Sequence, residues 1–167
     1  MNLFGFRAAW MFQAMGHEKV FVLDGGFNKW QKEGRPCEGT DTSATDDDFA
    51  YQLDPTKIKL LEEMQNLDTG VTQVIEVRKP DEYEQGHLPD SILFPTMKVM
   101  NMQEGQIRDE ETVKASMEEA GIDLSKNTVF SCNTGVASTA AYFRAKQILS
   151  GEIALYDGSY MEWKAQA

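Results

Sequence analysis

Cys132 is the side chain in this sequence best placed to do chemistry. It closes the apolar run Thr128-Val129-Phe130-Ser131, and Asn133-Thr134-Gly135-Val136-Ala137 follows before a helical pattern from Ser138 to Leu149. A cysteine between a strand end and a helix start faces the orphan N–H groups of that helix and the positive end of its dipole. Both favour the thiolate, which is the reactive form of the side chain. The pattern therefore predicts a nucleophilic cysteine in a small anion-binding loop. A Cys-x5-Arg loop that hydrolyses phosphate esters is set aside: the arginine needed to clamp the phosphate oxygens is replaced by Ser138.

Other polar residues compete less well. His87 follows Gly86 and precedes Leu88-Pro89, which suits a turn whose imidazole satisfies backbone groups better than a general base. His17 reads as a helix-end histidine. Arg7 faces either a cleft or the acidic segment further along the chain. Thr134 either orients a ligand or bonds its own backbone. Met97, Met100 and Met102 fit core filling or exposure better than a docking surface. Cys37 sits in polar sequence and is an oxidation liability if exposed.

The elements that must position these residues follow from patterning. Asn2 to Met15 reads as a helix with an aromatic face of Phe4, Phe6, Trp10 and Phe12, stopped by Gly16. Val20 to Leu23 reads as a short, fully apolar strand, and Asp24-Gly25-Gly26 turns it into a helix from Phe27 to Glu33. Cys37 to Ala50, with the run Asp46-Asp47-Asp48, reads as an exposed acidic linker. Pro55 opens a helix expected to reach Asn66. Strands are expected at Val71–Val77, Ser91–Phe94, Thr128–Ser131 and Ile153–Leu155. Helical segments are expected at Asp81–Gln85, Asp109–Ala120, Ser138–Leu149 and Ser159–Ala165. Strands alternating with helices predict an α/β fold with a parallel sheet covered by helices on both faces. Ligands in that architecture lie at the carboxyl ends of the strands, where both Cys132 and Arg78 fall.

The chain has 167 residues, 41% of them apolar, and a net charge of −11. That is enough for one ordinary domain with a real core. The charge argues against nucleic acid and anionic membrane surfaces as partners. Two cysteines in different contexts make neither a disulfide framework nor a zinc site, so an intracellular, reduced compartment is expected. The N-terminus lacks the Arg/Ser enrichment of a transit peptide, which favours cytoplasm over mitochondrion. No apolar stretch is long enough to span a membrane.

A weak repeat is present. Val22-Leu23-Asp24-Gly25-Gly26 through Trp30 parallels Ala154-Leu155-Tyr156-Asp157-Gly158-Ser159 through Trp163. With Arg7 through Phe12, Val77-Arg78 through Gly86-His87-Leu88-Pro89, and Cys132 through Ala137, these stretches make the chain resemble the rhodanese and 3-mercaptopyruvate sulfurtransferase family in its tandem-domain form. The resemblance implies a complete catalytic domain over 51–167, an acidic linker over 36–50, and the C-terminal fragment of a first, truncated domain over 1–35. One strand cannot make a sheet, so that fragment must lean on the complete domain, form a homo-oligomer or other pairing with another chain, or stay partly disordered.

The resemblance also implies sulfur transfer through a Cys132 persulfide. Loop N–H groups of Asn133, Thr134, Gly135, Val136 and Ala137 would bind the sulfur anion, and Arg78 would hold a substrate carboxylate. The loop Cys-Asn-Thr-Gly-Val-Ala lacks the basic pair of the thiosulfate enzymes and keeps a hydroxyl at Thr134, where 3-mercaptopyruvate enzymes have serine. The donor is therefore expected to be 3-mercaptopyruvate, with thiosulfate second. The acceptor is expected to be a thiol, cyanide or a thioredoxin-like dithiol, with no metal or organic cofactor. The alternative is a catalytically weak persulfide carrier or binding module that lacks the first-domain half of the site.

Overall fold

The computed structural model describes residues 2–17, 19–39 and 50–166. In chain order the helices are α1 (Leu3–Ala14), α2 (Gly26–Lys32), α3 (Leu61–Gln65), α4 (Pro80–Glu84), α5 (Thr96–Val99), α6 (Glu110–Glu119), α7 (Ser138–Ile148) and α8 (Ser159–Gln166). The strands are β1 (Ile58–Lys59), β2 (Thr72–Glu76), β3 (Ser91–Leu93), β4 (Met100–Asn101), β5 (Gln106–Ile107), β6 (Asn127–Ser131) and β7 (Ile153–Tyr156).

One five-stranded sheet runs in the order β1-β7-β6-β2-β3, and every neighbouring pair is parallel. Its register sorts the core. Val74, Val129 and Ala154 lie side by side, and so do Ile75, Phe130 and Leu155. Successive residues of a strand face opposite sides. The first trio packs with Met64 of α3 and Trp163 of α8. The second packs with Phe6 and Trp10 of α1, Met117 of α6 and Ala141 of α7. Both faces are therefore covered, which explains why the strand centres Val74-Ile75 and Val129-Phe130 are apolar at consecutive positions.

Three expectations are corrected. The helix expected from Pro55 to Asn66 is a 3-10 turn at Pro55–Lys57, then β1, then α3. Ile58 and Lys59 pair with Leu155 and Tyr156 at the sheet edge, and that pairing overrides the local helical pattern. The strand expected at Val20 to Leu23 does not form: among the described residues no neighbour supplies a ladder, Phe21 is 90% exposed, and Val22 alone packs on the core. Lastly, the aromatic residues of α1 do not share one face. Phe6 and Trp10 are buried, whereas Phe4 and Phe12 are exposed. The antiparallel β4–β5 hairpin was not anticipated. The linker expected at 36–50 lies largely outside the described residues.

The N-terminal segment packs on the sheet domain. Its α1 lies against α7. The Asp54 N–H donates to the Ala14 carbonyl at 2.7 Å, and Asp24 accepts from Gln106 Nε2 at 2.7 Å and from the Ile107 N–H at 3.1 Å. No helix among the described residues is long and apolar enough to cross a membrane.

Candidate active site

The carboxyl ends of β2, β6 and β7 lie together, and the segments that leave them build the site. Val77-Arg78-Lys79 leave β2, Cys132 leaves β6, and Asp157-Gly158-Ser159 leave β7. The Val77 N–H donates to the Ser131 carbonyl at 2.9 Å, so the β2 exit is tied to the residue before the cysteine.

Cys132 is 3% exposed and reduced. The start of α8 holds its backbone. The Cys132 N–H donates to Ser159 Oγ at 3.2 Å, the Cys132 carbonyl accepts from the Tyr160 N–H at 3.0 Å, and the Asn133 carbonyl accepts from the Met161 N–H at 3.1 Å. Ser159 is fully buried, takes φ +55°, and donates to the Tyr156 carbonyl at 2.9 Å. A left-handed backbone is costly for a residue with a side chain. It persists here because the one hydroxyl bridges β7 to the cysteine.

Ser138 Oγ, buried at the start of α7, donates to Cys132 Sγ at 3.6 Å. Among the described residues, the N–H groups of residues 133 to 138 donate to no protein acceptor. Unclaimed N–H groups at a strand-to-helix junction are chemically suited to receive an anion.

The five predicted loop residues divide by role. Asn133, Thr134, Val136 and Ala137 line a cavity of about 310 Å³ together with Cys132. Asn133 is also committed to α4, its Nδ2 donating to Glu82 Oε2 at 2.9 Å. The Thr134 hydroxyl makes no hydrogen bond to its own backbone among the described residues. Gly135 stays off the cavity wall and carries the loop's shape. Its φ is +72°, and an added Cβ would stand 2.6 Å from the Asp157 carbonyl. Only glycine meets both conditions. Arg7 of α1 clamps the loop from outside, donating from Nη1 to the Gly135 carbonyl at 3.2 Å and to Asp157 Oδ1 at 2.5 Å.

Arg78 also borders the cavity, but its charge is spent elsewhere. The residue is 4% exposed. Its Nε donates to Glu76 Oε2 at 2.5 Å, Nη1 to the Glu82 carbonyl at 3.1 Å and Nη2 to the Gly86 carbonyl at 2.6 Å, while the guanidinium stacks 3.8 Å from the Tyr160 ring centroid. Glu76, fully buried, also accepts from the Leu88 N–H at 2.6 Å and Ser91 Oγ at 3.0 Å. Arg78 was expected to hold a substrate carboxylate; here its guanidinium is engaged by protein groups, and the buried ion pair with Glu76 pins the loop after β2.

His87 stacks on Tyr83 with ring centroids 4.1 Å apart and bonds its carbonyl through Nδ1 at 3.1 Å, as a turn residue would. Met100 is core, whereas Met97 and Met102 form cavity wall. Cys37 is exposed and contacts the Arg35 carbonyl. A wider groove of about 730 Å³ lies between α2 and the β4–β5 hairpin, with neither cysteine nor histidine on its walls. Among the described residues, no group of three or more His, Cys, Asp or Glu side chains could hold a metal ion.

Sequence reading missed Ser138 as the sulfur's partner and Ser159 as its anchor. Ser138 was legible in principle, since the first turn of the helix after the cysteine must face the sulfur. Ser159 was not, because its contact spans two strands.

Comparison with known proteins shows which family the chain belongs to. The chain is 33% identical to the 3-mercaptopyruvate sulfurtransferase of Mus musculus over 173 residues, covering 96% of this chain and 58% of that protein. It is 33% identical to the thiosulfate sulfurtransferase of Gallus gallus over 169 residues, covering 94% and 57%. The structure superposes on SseA from Escherichia coli with a TM-score of 0.83 at 24% identity, covering 96% of this chain and 63% of that one. The chain therefore spans less than two thirds of the length of these relatives. The Rhodanese-like domain family matches residues 5–33 and 59–166, and the chain belongs to that family.

Proposed function

We propose that this chain is a sulfurtransferase that carries sulfane sulfur as a persulfide on Cys132. One observation supports this above the others. Cys132 borders a cavity, its sulfur receives the Ser138 hydroxyl, and the turn that follows it carries N–H groups that have no protein acceptor among the described residues. Such a turn suits a thiolate, and then an outer persulfide sulfur that must stay anionic while it waits for an acceptor.

With 3-mercaptopyruvate as donor, the Cys132 thiolate attacks the donor sulfur. The S–S bond forms as the C–S bond breaks. The electron pair leaves on carbon as the enolate, which takes up the thiol proton, so the products are pyruvate and the persulfide anion. With thiosulfate the same attack releases sulfite. Both steps balance without an oxidant or cofactor. Transfer to a thiol, cyanide or a thioredoxin-like dithiol returns the thiolate. Arg78 takes no direct part in this scheme. N–H groups of Asn133, Thr134, Gly135, Val136 and Ala137 hold the charge that builds on sulfur, and 3-mercaptopyruvate is preferred because the loop has no basic residue for a dianion.

The test is intact mass after incubation with each donor, with Cys132→Ser as control. We expect a gain of one sulfur atom, larger with 3-mercaptopyruvate, absent from the variant and discharged by a thiol. No gain from either donor would reject the reading.

A further inference from the structure

We propose that Lys79 binds the anionic group of the donor and so selects small organic thiols that carry a single negative charge. This deepens the sulfur-transfer reading and rests on it.

Two cations border the Cys132 cavity, Arg78 and Lys79. Arg78 is consumed by Glu76, two carbonyls and the Tyr160 ring. Lys79 is exposed, and among the described residues its ammonium has neither a hydrogen-bond nor an ion-pair partner. Its backbone is nonetheless fixed. Arg78 is anchored on one side, and on the other the Lys79 carbonyl accepts from the Tyr83 N–H at 3.0 Å. A rigid root and a free four-carbon stem let the ammonium swing over the cavity mouth.

The rest of the wall sets the charge limit. Glu82 is the acid on that wall, and its carboxylate faces the loop through Asn133. The unpaired ammonium supplies one positive charge to an anionic group near it, and the Glu82 carboxylate across the wall repels a second negative charge. Leu3, Met97 and Met102 offer an uncharged body an apolar and polarisable surface. The neighbouring arginine looks like the anion site in the sequence but is walled in, so the task passes to the adjacent lysine.

The experiment compares alkylation of Cys132 by iodoacetate, a monoanion, and by iodoacetamide, its neutral counterpart. A Cys37→Ser background removes the exposed second thiol. In K79Q the iodoacetate to iodoacetamide rate ratio should fall about threefold or more at low ionic strength, and the difference should shrink with added salt. K79R should retain the ratio. KM for 3-mercaptopyruvate should rise in K79Q while kcat holds. An unchanged ratio in K79Q would overturn the proposal. If the parent protein takes no sulfur from 3-mercaptopyruvate yet the ratio still depends on Lys79, the donor reading fails and the anion site stands.

Discussion

The Ser138 hydroxyl donates to the Cys132 sulfur across 3.6 Å, with both residues buried. A hydrogen bond to a charged acceptor stabilises the charged form, though sulfur is a weaker acceptor than oxygen. Ser138→Ala should therefore slow alkylation of Cys132 near neutral pH by about fivefold, corresponding to about 1 kcal/mol. Stopped alkylation followed by mass spectrometry checks this, and equal rates at neutral pH would show that the hydroxyl does not tune the sulfur.

Ser159 combines a useful hydroxyl with a strained backbone. Ser159→Ala removes the acceptor of the buried Cys132 N–H and keeps the left-handed φ. It should cost about 1–3 kcal/mol, the price of an unsatisfied buried donor. Ser159→Gly loses the same bond but relieves the backbone, so it should be less destabilising than the alanine variant by about 1 kcal/mol. Urea melts of the two proteins decide the order.

Arg7 joins the N-terminal segment to the reactive loop through Gly135 and Asp157. The pair is partly exposed, so its stability contribution should be small, about 0.5–1 kcal/mol. Its effect on function should be larger, because the Gly135 carbonyl would lose a fixed partner and the turn would loosen. Arg7→Gln should lower kcat/KM for sulfur uptake by about tenfold with little change in melting temperature. A double-mutant cycle with Asp157→Asn should show that the two losses are not additive.

The buried pair Glu76–Arg78 makes the opposite prediction. Arg78→Met leaves a buried carboxylate without its counter-charge, so it should destabilise the fold by about 3–5 kcal/mol. Where the variant remains folded at low temperature, KM for 3-mercaptopyruvate should stay within about twofold of the parent. A tenfold rise in KM without loss of stability would return Arg78 to the substrate.

Much of this was legible in local pattern. The apolar centres of β2 and β6, the helix expected from Asp109, and the loop after Cys132 each follow from neighbouring residues alone. Position relative to a strand end sufficed to single out the cysteine, because the orphan N–H groups of a following helix are a property of any chain at that junction.

What the sequence by itself determined was therefore the α/β alternation and the place of Cys132 and its turn at a strand-to-helix junction. Tertiary structure decided the rest. Ile58 and Lys59 became a strand only because β7 presented an edge, and Val20 to Leu23 remained unpaired for want of one. Arg78 and Lys79 are adjacent cations, of which the sequence reading singled out only Arg78. Folding buries the first against Glu76 and leaves the second at the cavity mouth. A charge acts on a ligand only if no nearer partner has neutralised it, and nearness between residues remote in sequence is set by the packed fold.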